Sequence, residues 1–353
     1  VNRAAARRLG KTGLSLGAVL VALIALELTL RWWPTVLGLS YANGALSRYS
    51  TRAGGIYYSD RALRMVFMIP NYRTEMFYNG YRWTHRTDAL GFRNEPLHVP
   101  ADVVLLGDSV VYGHGVDLEH TFGVNLERRT GLRVVNLGQQ GNCAFQEAYV
   151  LTAYVDVLKP RFVVHVFTPN DIDDLYVFLS DAAMDAFIAQ PVDRITFPPR
   201  TDPERLLRER ETALRNRSLG KRAEDDLSVM KMGRWIGDRF RQWRGGGTAS
   251  ARTANSQAVN ADAGSRGWRY TEHALVYMKR VSEAAGARFL MAPVAEGRHL
   301  EIIREIARRH AIDLVDTTPL YAGSSFLPND GHLSPQGART MAELTAAYLD
   351  RLR

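Results

Sequence analysis

The sequence predicts an α/β chain: a three-layer α/β/α fold around a central parallel sheet, with an N-terminal transmembrane helix in front and a helical insertion inside it. Three observations carry this expectation. From Asp102 onward, short apolar runs alternate with amphipathic stretches; a long apolar run stands near the N-terminus; and the alternation breaks off over residues 180–267, where the sequence turns charged and helical. Continuous apolar strands alternating with helices imply a parallel sheet covered on both faces. The 353 residues, 46% hydrophobic and 23% charged, have a globular composition and not a disordered one.

Taken in order, residues 1–11 carry Arg3, Arg7, Arg8 and Lys11 and lead into the run "LSLGAVLVALIALELTL", Leu14 to Leu30, followed by Arg31, Trp32 and Trp33. A bilayer takes about 20 helical residues, so 12–33 reads as a membrane anchor. Basic residues on the leading side place residues 1–11 in the cytoplasm and the rest of the chain outside it, and the paired tryptophans suit an interfacial belt. This points to a single-pass membrane protein with everything after Trp33 outside the cytoplasmic membrane. Glu27 is costly in hydrocarbon unless paired or near the interface, and it lies close to the trailing end of the run. A cleaved signal peptide is the rival reading; the lack of an A-x-A-like site directly after the run favours a retained anchor.

Residues 34–100 read as an irregular lead-in with β-like runs such as "ALRMVFMIP". The repeating part then begins. "DVVLLG" (102–107) is a strand, and Leu118, Phe122 and Leu126 share one face of a following helix. "LRVVNLG" is a second strand with a helix over 144–158, and "RFVVHVF" is a third. After the insertion come a helix around 270–285, the strand "ARFLMAPV", a helix over 299–309, the strand "AIDLV" and a last helix over 334–353. Within 180–267, two helical segments contain "PERLLRERETALRNRSLGKRAEDD" and "MGRWIGDRFRQW", and the Gly/Ala/Ser-rich stretch from Gly245 to Gly264 reads as a mobile linker. The insertion suits a lid, a surface for envelope partners, or a solvated helical excursion.

The net charge of +8 comes largely from scattered arginines, with no basic block interleaved with aromatics, so nucleic acid is not an expected partner. The single cysteine, Cys143, excludes an internal disulfide and a cysteine-rich metal site, and reads as a packing residue. No His/Asp/Glu cluster shows metal-ligand spacing, so neither a metal nor a cofactor is expected. His165 lies inside an apolar strand and reads as a core residue.

In parallel α/β sheets the reactive edge lies outside the carboxyl ends of the strands. Ser109, Gly141 and Asn170 each follow a strand at that edge, in "LLGDS", "NLGQQG" and "FTPND". Gly107 permits a sharp bend before the serine, Gly141 has a backbone N–H without a side chain in the way, and the Asn170 amide is a neutral donor. "NDGHLSPQG" puts Asp330 and His332 on one loop, with Ser334 as N-cap and Pro335 as first residue of the last helix. A nucleophile, a base, an orienting acid and oxyanion donors are the parts of serine hydrolysis. Singly, each also reads as a turn serine, a surface histidine or a helix cap.

"GDS", "NLGQQG", "PND" and "DGH", in this order, resemble the four blocks of the SGNH (GDSL-type) hydrolase superfamily over Asp102 to Leu179 and Ala287 to the C-terminus. The lead-in, with "ELTLRW" and "TDALGFRNEP", is similar to that of membrane-anchored bacterial members. The resemblance implies a flavodoxin-like core over 101–353, interrupted at 180–267. It also implies Ser109 as nucleophile, Ser109, Gly141 and Asn170 as oxyanion donors, His332 as general base and Asp330 as its orienting acid. Two positions depart from the family pattern. Thr168 stands where glycine is usual, and the acid is usually three residues before the histidine, which here is Asn329. Asp330 matches the shorter spacing of alginate acetyltransferase-type relatives.

The expected activity is an extracytoplasmic serine esterase removing acyl, typically acetyl, groups from cell-envelope carbohydrate or lipid. An O-acyltransferase acting on an exported polysaccharide shares the acyl-serine intermediate. An inactive glycan-binding scaffold is the alternative of another class.

Overall fold

A computed structural model describes residues 3–244 and 262–353, so the central part of the expected linker, 245–261, lies outside the described residues. Five strands form one parallel sheet: β5 (Val103–Gly107), β6 (Val134–Asn136), β7 (Phe162–Val166), β8 (Arg288–Met291) and β9 (Asp313–Leu314), in the spatial order β6-β5-β7-β8-β9. Along β5, side chains alternate between the two faces. Val104 and Leu106 join a core built with helices Ala144–Leu158 and Arg266–Ala284, while Val103 and Leu105 join one built with helices Phe122–Thr130 and Pro335–Asp350. The sheet is therefore covered on both faces, which explains why its central strands are mostly apolar.

Local differences from expectation have local causes. The helix expected from Leu118 is a short 3-10 turn, Leu118–His120, followed by a helix that starts at Phe122. Thr121 separates them as an N-cap. Ser334 caps the last helix, accepting from Gly337 N–H at 3.1 Å, with Pro335 in the first turn. Cys143 and His165 are buried; the His165 Nε2 meets Glu147 Oε2 at 2.8 Å, so this histidine is a paired core residue.

The lead-in is more ordered than its sequence suggests. It holds two antiparallel hairpins, β1 (Tyr57–Asp60) with β2 (Met65–Met68), and β3 (Arg73–Tyr78) with β4 (Tyr81–Arg86). Tyr58, Met68 and Trp83 are buried in the same core as the sheet face carrying Val104.

At the N-terminus a helix runs from Arg3 to Trp32, and its stretch Leu14–Trp32 is long and apolar enough to cross a membrane. Leu14 to Ala25 are all exposed, whereas Leu30 is buried. Glu27 is not isolated: it pairs with Arg31 at 3.1 Å and accepts the Val229 N–H at 2.9 Å. Val229 opens helix Ser228–Arg244, which also packs on helix Leu39–Leu46, with Trp235 edge-on to Tyr41. Helix Pro203–Arg215 lies against β1, and Arg210 there donates to the Arg52 and Gly55 carbonyls. Among the described residues, no hydrogen bond or ring contact joins helices 203–244 to Ser109, Asp330 or His332. These helices fasten the lead-in and the end of the long helix instead.

Candidate active site

β5 ends at Gly107, and the chain must turn at once to leave the sheet. Gly107 has φ +159°, and a Cβ there would meet Val111 Cγ2 at 2.6 Å, so the turn requires glycine. The next two residues, Asp108 and Ser109, thus stand at the carboxyl edge of the sheet. Ser109 opens a short helix, Ser109–Tyr112, with Asp108 accepting the Val110 N–H at 2.9 Å. The Ser109 and Gly141 backbone N–H groups hold no acceptor among the described residues. Gly141 has φ +74° and nothing within 4 Å of the position a Cβ would take.

The loop before the last helix closes the arrangement. His332 Nε2 lies 2.8 Å from Ser109 Oγ, and His332 Nδ1 is hydrogen-bonded to Asp330 Oδ1. The other Asp330 oxygen accepts from Asn79 Nδ2 at 2.8 Å. Burial works against the Asp330 carboxylate, but the bond to His332 and the facing imidazoles outweigh it and hold its pKa below the ordinary value. Asp330 is therefore ionised at neutral pH, with its charge aimed at His332. The Ser109 side is nearly closed to solvent, and about a fifth of the His332 side chain is exposed.

Asn170 is joined to this set through Asp108. The Asp108 Oδ2 accepts from Ser109 Oγ at 3.0 Å, from Thr168 Oγ1 at 3.0 Å and from Asn170 Nδ2 at 3.2 Å. The Asn170 amide also donates to Asp174 Oδ2 at 3.1 Å. Both of its protons thus face carboxylates, and donating to an oxyanion requires one of these bonds to yield. The Ser109 hydroxyl has one proton and two acceptors, Asp108 and His332. Thr168, at the departure from the family glycine, places its hydroxyl on Asp108 and its N–H on Asp171 Oδ2 at 2.9 Å.

Four further residues at the site had no role in the sequence reading, although His114 lies near the site blocks in sequence. Asp108 was visible in "GDS" but has no assigned role there. Asn79 sits in the two-residue turn between β3 and β4 with φ +47°, followed by Gly80 at φ +91°. The pair Asn-Gly is a hairpin-turn signal that locates the turn, though not its contact with Asp330. His114 lies against His332, ring centroids 4.0 Å apart at 21°, and Tyr49 hydrogen-bonds His114 Nδ1 at 2.9 Å. Nothing in their spacing announces that meeting.

The fold also gathers what sequence spacing does not: donor atoms of His114, Asp330 and His332 lie within 4.8 Å of one another. Both ring nitrogens of His332 already have partners, and the near-parallel rings send their lone pairs side by side and not toward one point. The set suits a hydrogen-bonded triad better than an ion.

No family model matches the chain, and no curated protein does. The likeness among solved structures is to GDSL- and SGNH-type hydrolases. The crystal structure of TesA has 13% identity and a TM-score of 0.41, covering 71% of this chain and 99% of that one. The psychrotrophic esterase EstA from Pseudoalteromonas sp. has 10% identity and a TM-score of 0.38, covering 71% and 97%. A GDSL-like lipase from Bacteroides thetaiotaomicron has 12% identity and a TM-score of 0.37, covering 71% and 88%.

Proposed function

We propose that this chain is a membrane-anchored serine esterase that removes acyl, typically acetyl, groups from cell-envelope carbohydrate or lipid outside the cytoplasm. The observation that carries the reading is the line of hydrogen bonds from Ser109 Oγ through His332 to Asp330. His332 takes the Ser109 proton as Oγ attacks the ester carbonyl. The N–H groups of Ser109 and Gly141 and the Asn170 amide bind the oxyanion, and Asp330 stabilises the imidazolium. His332 then protonates the leaving alcohol. Water, deprotonated by the same imidazole, releases the acid and restores Ser109.

The exposed apolar helix Leu14–Trp32 supports the anchor, and Arg3, Arg7, Arg8 and Lys11 on its leading side support an inner-membrane protein with the site on the far side. That location supports acylated envelope glycans and lipids as substrates. The test is turnover of a short-chain nitrophenyl ester by the full chain in detergent, beside Ser109→Ala and with fluorophosphonate labelling. We expect labelling of the wild type alone and a loss of at least ~10⁴-fold in kcat for the variant. Equal turnover by both proteins would overturn the reading. Adding candidate glycans separates the routes, because an esterase yields free acid and a transferase yields acylated glycan.

A further inference from the structure

His114 is the one imidazole beside the triad to which that mechanism gives no task. It is buried, at 1% exposure, in a cage made by three separate parts of the chain. Tyr49, Tyr78 and Trp83 of the lead-in surround its ring at centroid distances of 5.8, 5.2 and 4.8 Å, and the fourth side is His332, stacked at 4.0 Å. Its two nitrogens differ. Nδ1 is 2.9 Å from the Tyr49 hydroxyl and 3.1 Å from Gln140 Oε1. Nε2 has no hydrogen-bond partner, yet it is buried and stands 3.7 Å from Asp330 Oδ1, the oxygen that also binds His332.

A buried nitrogen facing a carboxylate is tolerable as N–H and repelled as a lone pair, so Asp330 selects the tautomer with its proton on Nε2. Nδ1 is then an acceptor and takes the Tyr49 hydroxyl proton. The Gln140 amide serves the same tautomer with its NH₂ end turned to the ring, since the two ends of that amide have nearly the same shape.

We propose that His114 is a positioning residue for the base: its ring is the flat floor on which His332 rests, and its Nε2 stands 3.7 Å from the Asp330 oxygen that His332 shares. The proposal rests on the reading of Ser109, His332 and Asp330 as an esterase triad. Stacking limits rotation of the His332 ring away from the line between Ser109 Oγ and Asp330. An Nε2–H dipole 3.7 Å from Asp330 Oδ1 offsets part of the carboxylate's charge, which tempers how strongly it favours the imidazolium.

The arrangement works only if His114 stays uncharged while His332 gains and loses its proton. The groups facing it are His332, Asp330, Tyr49 and Tyr78, with Arg93 at longer range. Burial, reinforced by His332 and Arg93 and opposed by Asp330, pushes its pKa down to about 3.

The test measures kcat and KM against pH for short-chain nitrophenyl ester hydrolysis by the full chain. The proteins compared are wild type, Ser109→Ala, His114→Phe and Tyr49→Phe. His114→Phe keeps a stacked ring but removes the polar Nε2–H beside Asp330. We expect kcat to fall roughly 10- to 100-fold with little change in KM, the scale on which an orienting partner acts on a ligating imidazole. We also expect the acid limb of kcat/KM to move to higher pH, because Asp330 then holds the imidazolium more tightly and the free base appears later. Tyr49→Phe frees the other tautomer and should move the limb the same way by less. Should His114→Phe fail to fold, Tyr49→Phe decides, since it deletes one oxygen from a retained ring. An unmoved acid limb in the folded variants overturns the positioning role, even if kcat falls. Full turnover by Ser109→Ala overturns the triad itself, a separate failure.

Discussion

The parallel sheet and the lead-in both reach the triad, but with different material. The sheet half delivers Ser109 and Asn170 from strand ends and His332 from the loop before a capped helix. The lead-in delivers Asn79 from a hairpin turn and Tyr49, Tyr78 and Trp83 as a wall behind the imidazoles. In one region the backbone aims reactive atoms. In the other, side chains fix the atoms that have been aimed. The difference teaches that residues 34–100 are part of the candidate site and not a spacer between membrane and enzyme.

Variants on each side measure that division. The largest effect is expected from the sheet half: Asp330→Asn removes the charge facing His332 and should lower kcat by about 10³- to 10⁴-fold with little change in fold. Circular dichroism and a short-chain ester assay check both parts. A smaller loss is expected from the lead-in. Asn79→Gly keeps the left-handed turn but deletes the amide that steadies Asp330 Oδ2, and should cost about tenfold in kcat. A loss as great as that of Asp330→Asn would dissolve the distinction between aiming and fixing.

The smallest effect is one of stability against pH. Burial raises the Asp174 carboxyl to about 6 from an ordinary value of 3.8. Between these values the folded chain holds a proton that the unfolded chain has lost, so this group lowers stability as pH rises through that window. Asp174→Asn lacks the effect. Its midpoint of thermal unfolding should gain on the wild type from pH 4 to pH 6, and a constant gap would show that Asp174 is not the group responsible.

The sheet was legible because its central strands are buried on both faces and so are mostly apolar, a pattern that needs no partner to be recognised. The turn glycine at 107 and the cap at Ser334 were legible for the same reason, as local chemistry. The edge also marked Ser109, Gly141 and Asn170, since strand ends are positions along a chain. His114 and Asn79 were not legible. Their neighbours in space are His332 and Asp330, more than 200 residues away in sequence, and a histidine or asparagine in a turn looks the same whether it faces water or a triad. The hairpins were faint because aromatic and arginine side chains share their faces without strict alternation.

Glu27 accepts from Val229 in the first turn of helix 228–244 and Arg31 donates to the Asp226 carbonyl just ahead of it, which gives the long helix a socket and not a swivel. Where that helix crosses a bilayer, the serine stands at one height and one heading above the lipid. On the proposed reading, the ester bonds within its reach are those that protrude to that height, and a longer tether spliced in at residue 34 could not extend that reach while the socket held.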